Sequence, residues 1–241
     1  MKAPLLKVLV SGAADGLGRA VAETFAKRHG NRVLVGLLDA GDREKPLRET
    51  AHNVLSLGGN VVLLPRREDD LRGTVSRFLR SAGGGVDVVI NNFHKGDPAS
   101  DLETHQENTR DTMACMDECR TALGNEERGS IVTISPPVRM GRLEWFSENG
   151  VDFTVSKYSM TMATLAEASG RIRANCLWAR REVNDLNVGI LADAVYDLAV
   201  RDVSRNAECV FDDEMTKERP DKKKGVHEKL NAFSQERVWI S

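Results

Sequence analysis

Ser11-Gly-Ala-Ala-Asp-Gly-Leu-Gly18 is the segment of this chain whose residue types and spacing speak most directly of chemistry. It follows a short apolar run and opens a helical pattern at once. Glycines at 12, 16 and 18 let a backbone turn tightly and come close to a pyrophosphate. The helix N-terminus behind them offers free N–H groups and a positive dipole. Gly12, Asp15, Gly16, Leu17 and Gly18 are the loop residues placed for such contact, in a strand–loop–helix setting that strengthens the motif. A second apolar run ends at Leu37-Leu38, where the ribose hydroxyls of NAD need a carboxylate, and Asp39 follows directly. Arg43 and Lys45 lie just beyond and could instead meet the 2′-phosphate of NADP, so both cofactors remain open. Arg66 and Arg67 fall where an adenine would be held; with Glu68, Asp69 and Asp70 they read more simply as a solvated helix start. His94, at a strand end, could titrate near neutrality but reads as a loop residue.

These residues need elements to place them. Leu5–Val10, Val33–Leu38, Val61–Leu64, Val86–Ile90, Ser130–Ile134 and Ile172–Leu177 are nearly continuous apolar runs, as strands covered on both faces require. Between them lie helical patterns, the first with Leu17, Val21 and Phe25 on one face. Others cover about 44–58, 69–82, 102–123, 150–169 and 188–200. Strand–helix alternation at this spacing predicts an α/β fold, a Rossmann-type doubly wound parallel sheet with helices on both faces. A short apolar piece at Glu208–Asp212 predicts a last edge strand. After it, Lys217–Gly225 is charged and without apolar periodicity. The expected division is a folded domain over residues 1–215 and a charged C-terminal tail over 216–241.

The chain has 241 residues, 41% hydrophobic and 29% charged, enough for one large domain with a sizeable core. Its formal charge of −2 gives no electrostatic reason to expect nucleic acid or an anionic membrane as a partner. No apolar run approaches a membrane span, and the first residues read as strand rather than leader. The cysteines are Cys115, Cys119, Cys176 and Cys209; none has zinc spacing, so no metal site is expected. They read as reduced thiols in a reducing intracellular compartment, cytoplasm or organelle matrix.

The glycine spacing, then Asn91-Asn92 after the fourth strand, then Ser156-Lys157, resembles the short-chain dehydrogenase/reductase family over most of the chain, from about residue 5 to 215. The segments Ile134-Ser-Pro-Pro-Val, Trp145-Phe146, Lys157-Tyr-Ser-Met160, Ala174-Asn-Cys-Leu-Trp178, Leu191–Tyr196 and Phe211-Asp-Asp-Glu214 are similar to its hydroxysteroid dehydrogenase-like branch. The resemblance implies hydride exchange between a nicotinamide and a carbonyl or alcohol carbon. In that family a Tyr phenol moves the proton. A Lys four residues later lowers the phenol's pKa and holds the ribose. A Ser fixes the substrate oxygen, and an Asn completes a water relay.

Carried onto this chain, the Lys is Lys157, the Asn is Asn108, and the Ser falls at Pro136 with Ser135 adjacent; Asn91 joins the cofactor-binding set. The Tyr position is Phe153, a ring without a hydroxyl. Tyr158 does not replace it, being rotated about 100° from Lys157 on a helix. Phe93 would crowd the nicotinamide channel, and the Pro-Gly turn that covers the nicotinamide is missing from Trp178–Asn184. The expectation is therefore a catalytically inactive relative with a vestigial site, retaining a nucleotide loop for weak or lost NAD or NADP binding. The alternative is an active NAD(P)-dependent oxidoreductase with another proton donor. The resemblance also implies self-association through the helices around Asn108 and Val151–Ser169. Trp145-Phe146 and Val238-Trp-Ile240 are expected contacts of a homo-oligomer or of a subunit in a larger complex, whereas Phe93 reads slightly better as closing the emptied cleft.

Overall fold

The computed structural model describes residues 4–14, 16–66, 70–93, 102–124, 129–136, 150–179, 187–201 and 204–211. Among the described residues there are seven strands, β1 (Leu6–Ser11), β2 (Val33–Ala40), β3 (Asn60–Arg66), β4 (Val88–Asn91), β5 (Gly129–Ser135), β6 (Ile172–Trp178) and β7 (Cys209–Phe211). They form one sheet in the order β3-β2-β1-β4-β5-β6-β7, and every pair is parallel. The helices are α1 (Gly16–His29), α2 (Glu44–Ser56), α3 (Leu71–Ser81), α4 (Leu102–Gly124), α5 (Val151–Ala166) and α6 (Val188–Tyr196).

The strand pattern explains why both faces are covered. Alternate residues of β1 enter different clusters: Val8 and Val10 pack with Val21 and Phe25 of α1 and with Val195 of α6, while Leu9 packs with Phe78 of α3 and Met116 of α4. Helices on both faces follow from strands apolar on both faces. The expected strands and helices are all found, with ends displaced by one to a few residues. One helix differs in kind: the last turn of the stretch expected over 188–200 widens into a π-helical turn at Asp197–Arg201. There the Leu198 and Ala199 carbonyls accept hydrogen bonds from the Arg173 guanidinium at 3.2 and 2.7 Å, an interruption of the helical ladder by a side chain from β6.

Among the described residues no helix is long and apolar enough to cross a membrane. The division at residue 215 and the charged tail lie outside the described residues.

Candidate functional site

In this strand order β1 and β4 are neighbours, and the connections after them leave in opposite directions along the sheet. Beyond the carboxyl ends of strands at such a reversal point is where open α/β sheets bind ligands. The glycine loop follows β1 and Asn91-Asn92 closes β4, so the fold brings these sequence motifs together. The Asn92 amide donates to Ser11 Oγ at 2.9 Å, and its Nδ2 donates to the Gly12 carbonyl at 3.3 Å. Asn92, not Asn91, is thus the residue that holds the loop. Asn91 is fully buried and turns its Nδ2 to Thr133 Oγ1 at 3.4 Å.

The glycines differ in what they do. Gly12 has φ +61° and passes against the Asn92 carbonyl. A Cβ at Gly18 would lie 1.8 Å from the Gly12 carbonyl oxygen, so α1 can start this close to the loop only with glycine there. Gly16, at φ +50°, has nothing within 4 Å of a Cβ position; its open side is where a phosphate could approach the helix start. Leu17 turns into the core. Asp15 lies outside the described residues.

Asp39 has a structural task that its sequence position did not disclose. One carboxylate oxygen accepts the Ala14 N–H and the other the Ala40 N–H, both at 2.8 Å. The acid near the end of β2 therefore braces the glycine loop. Asp39→Ala removes the acceptor for two backbone donors and is expected to cost roughly 1–3 kcal/mol, read as a lower urea midpoint with unchanged m. Asp39→Asn, which keeps one acceptor oxygen, should lose less. Lys45 lines a groove between α1 and α2 with Arg19, Glu44, Arg48, Glu49 and His52.

The two arginines expected near an adenine divide. Arg66 is not solvated: it forms an ion pair with Asp111 of α4, both side chains largely buried. Asp70 caps α3 by accepting the Gly73 amide at 3.1 Å. Arg67, Glu68 and Asp69 lie outside the described residues.

On α5 the spacing predicted the faces correctly. Phe153 and Lys157 are buried, while Tyr158 is exposed, turned away from both. The Lys157 ammonium lies 5.6 Å from the centre of the Phe153 ring and 3.9 Å from Met160 Sδ. Burial pushes its amine down to about 8. Asn108 is buried on α4, which packs on α5 through Thr109 Oγ1 donating to the Ser156 carbonyl at 3.2 Å. Ser135 ends β5, buried, with its hydroxyl donating to the Pro136 carbonyl at 3.1 Å. Phe93 is half-buried and packs against the apolar cluster beneath α3 and α4.

One residue of this neighbourhood was missed. His105, one helical turn before Asn108, is 1% exposed and packs edge to face on Phe153 with ring centres 5.4 Å apart. Its signal was there: it shares a face of α4 with Asn108 by i,i+3 spacing.

All four cysteines are free thiols. Cys119, hydrogen-bonded with Cys115 and buried, and Cys176, hydrogen-bonded with Cys209 and buried, have thiols raised well above the usual range, so neither offers a thiolate. No group of side chains among the described residues is arranged for a metal ion. His94, Trp145, Phe146, residues 180–186 and Val238–Ile240 lie outside the described residues.

A parallel sheet in this order, with a glycine loop at the reversal point, is a doubly wound α/β fold of the Rossmann type. No family model matches the chain. It is 26% identical over 242 residues to hydroxysteroid dehydrogenase-like protein 2 of Bos taurus, covering 88% of this chain and 57% of that protein. The chain spans about half the length of the curated relatives it matches. Its fold is shared with a putative dehydrogenase from Xanthomonas campestris, at TM-score 0.72 and 20% identity, covering 89% of this chain and 90% of that one. An NAD+-bound xylitol dehydrogenase is similar at TM-score 0.69 and 15% identity, covering 88% of this chain and 98% of the other. The chain is thus similar in sequence to hydroxysteroid dehydrogenase-like proteins and shares its fold with solved structures that include a short-chain dehydrogenase from Mycobacterium thermoresistibile, at TM-score 0.73 and 20% identity, covering 87% of this chain and 85% of that one.

Proposed function

We propose that this chain binds a pyridine dinucleotide weakly at the glycine loop and serves as a structural or assembly subunit, without phenol-dependent carbonyl–alcohol chemistry. The observation that carries this reading is Phe153. Its ring sits buried beside Lys157, where the resemblance puts a proton-transferring phenol, and it has no ionisable group. Proton transfer by such a group is worth about 10²–10⁴-fold. Lys157, Asn108 and Ser135 are then the vestige of the catalytic set. Gly12, Asp15, Gly16, Leu17, Gly18, Asp39 and Asn91 form the binding side, with Asn92 holding the loop. The NAD+-bound relative supports a nucleotide in this fold. The Asp39 charge favours NAD(H) over its 2′-phosphorylated form. The dinucleotide domain ends near residue 215, and the four free thiols suit a reducing compartment.

Support for self-association comes from α4 and α5. Val151, Val155, Tyr158 and Met162 form an exposed stripe along α5, with Leu102 and Met113 exposed on α4. Apolar surface in such a stripe marks contact sites. Calorimetric titration with NADH and NADPH, a hydride-transfer assay over carbonyl and alcohol panels, and light scattering test the reading together. Weak NADH binding, no turnover, and an oligomer that Val155→Glu dissociates are expected. Steady turnover abolished by Lys157→Ala would overturn it. Phe153→Tyr alone is not expected to start turnover.

A further inference from the structure

Away from the glycine loop and the Phe153 face, two nucleophilic side chains stand side by side at the outer edge of the sheet. Cys176 of β6 and Cys209 of β7 are register partners on adjacent parallel strands, and both are free thiols. Strand alternation turns them to one face. Leu177 and Val210 join the cluster that holds Val195 of α6, while Cys176 and Cys209 pack with Trp178 and with Leu165 of α5 on the other side. Backbone bonds fix this register. The Cys176 N–H donates to the Glu208 carbonyl at 2.8 Å, and the Ala207 N–H to the Ala174 carbonyl at 2.9 Å. The Glu208 N–H donates to Asn175 Oδ1 at 3.1 Å. Neighbouring strands lie about 4.7–4.9 Å apart, within the ~4.4–6.8 Å Cα separation that a disulfide spans. A cross-link here needs side-chain rotation and no movement of the strands. The pair is unequal in access: Cys176 is fully buried, and Cys209 is half-buried on the last strand of the sheet. Cys115 and Cys119, the other neighbouring thiols, are both fully buried within α4.

We propose that Cys176 and Cys209 form a redox-modification site, joined as a disulfide when a hydroperoxide reaches Cys209 and parted again by a dithiol reductant. With hydrogen peroxide, the Cys209 sulfur attacks one oxygen and the O–O bond breaks. The leaving oxygen takes the thiol proton and departs as water, and Cys209 becomes a sulfenic acid. The Cys176 sulfur then attacks the Cys209 sulfur, the S–O bond breaks, and the hydroxyl leaves as water with the Cys176 proton. The thiols lose two electrons and the peroxide gains them; two thiols and one peroxide give a disulfide and two waters. The environments set the order of attack. Its hydrogen bond with Cys209 and its burial raise the Cys176 thiol well above the usual range, so the peroxide reacts at Cys209 first. The bond ties the edge strand to β6 and closes a loop containing α6 and the turn at Asp197–Arg201, which restricts the unfolded chain. A transient disulfide is the kind that a reducing compartment permits. Nothing in this step uses a dinucleotide, Phe153 or self-association, so it fails or holds separately from the proposed function.

The test treats the reduced full-length protein with hydrogen peroxide near neutral pH, blocks the remaining thiols and maps unreduced peptides. One linked peptide pair through Cys176 and Cys209 is expected, with a chain mass lower by two hydrogens, reversed by dithiothreitol. It should form about tenfold or more faster than any change at Cys115 or Cys119. The thermal midpoint of the oxidised protein should rise by about 5–10 °C. Cys176→Ser should leave Cys209 as a sulfenic acid that dimedone captures, and Cys209→Ser should leave Cys176 unoxidised. Circular dichroism confirms the fold, and Cys176→Ala takes the place of Cys176→Ser if the latter does not fold. Three results each overturn the proposal: Cys209 oxidised to sulfinic acid while Cys176 stays open to blocking, a disulfide that joins two chains, or no reaction at a peroxide level that oxidises free cysteine. A linked protein with an unchanged midpoint overturns the part given to the strand tie.

Discussion

Replacing Lys157 by Met is expected to stabilise the folded protein at pH 7 by about 3 kcal/mol, the free energy that corresponds to lowering a lysine from 10.5 to about 8. The direction follows from burial. Inside α5 the ammonium has lost water, and the unfolded chain restores it. Below about pH 8 both states are protonated and the folded state carries the whole penalty. Between about 8 and 10.5 the unfolded chain binds the proton and the folded chain does not, so the wild type gains stability with rising pH. The advantage of Lys157→Met should therefore be full at neutral pH and fade above about 8. Urea unfolding of both proteins across that range measures it. A variant less stable than wild type at pH 7 would show that the ammonium is well satisfied where it lies.

Gly18→Ala is expected to cost about 3 kcal/mol or more, at the upper end of overpacking effects. The added methyl would lie 1.8 Å from the Gly12 carbonyl oxygen, and backbone cannot swing aside as a side-chain tip can. Either α1 moves off the loop or the loop leaves Asn92, whose Nδ2 bonds to that same carbonyl. Gly16→Ala is the control. Its methyl meets nothing within 4 Å, and only the positive φ opposes it, at roughly 1–2 kcal/mol. It should fold yet lose nucleotide affinity, because the methyl stands on the open side of the loop. Thermal unfolding and NADH titration of the two variants separate the effects. Equal stability of Gly18→Ala and wild type would mean that the loop is not packed against α1 as described.

The order and type of the elements follow from the sequence alone. Strands in a parallel sheet must be apolar on both faces, and that demand is written locally, in runs such as Val33–Leu38. The glycine loop is local too, as is the relation between Phe153, Lys157 and Tyr158, since helical geometry fixes which of three nearby residues share a face. What tertiary structure decided lies between residues far apart in the chain. Asp39 reaches Ala14 across 25 residues and Arg66 reaches Asp111 across 45; each was open to another role until strand register set its neighbours. Which asparagine holds the loop turned on the direction each side chain takes at the end of β4: Asn91 faces Thr133 of β5 and Asn92 faces the loop. His105 gained its place only when α4 packed on α5 and brought its imidazole onto a ring that has no hydroxyl to offer it. Periodicity fixes the face on which a side chain leaves its own element. The group it meets there depends on the register and packing of elements that local sequence does not encode.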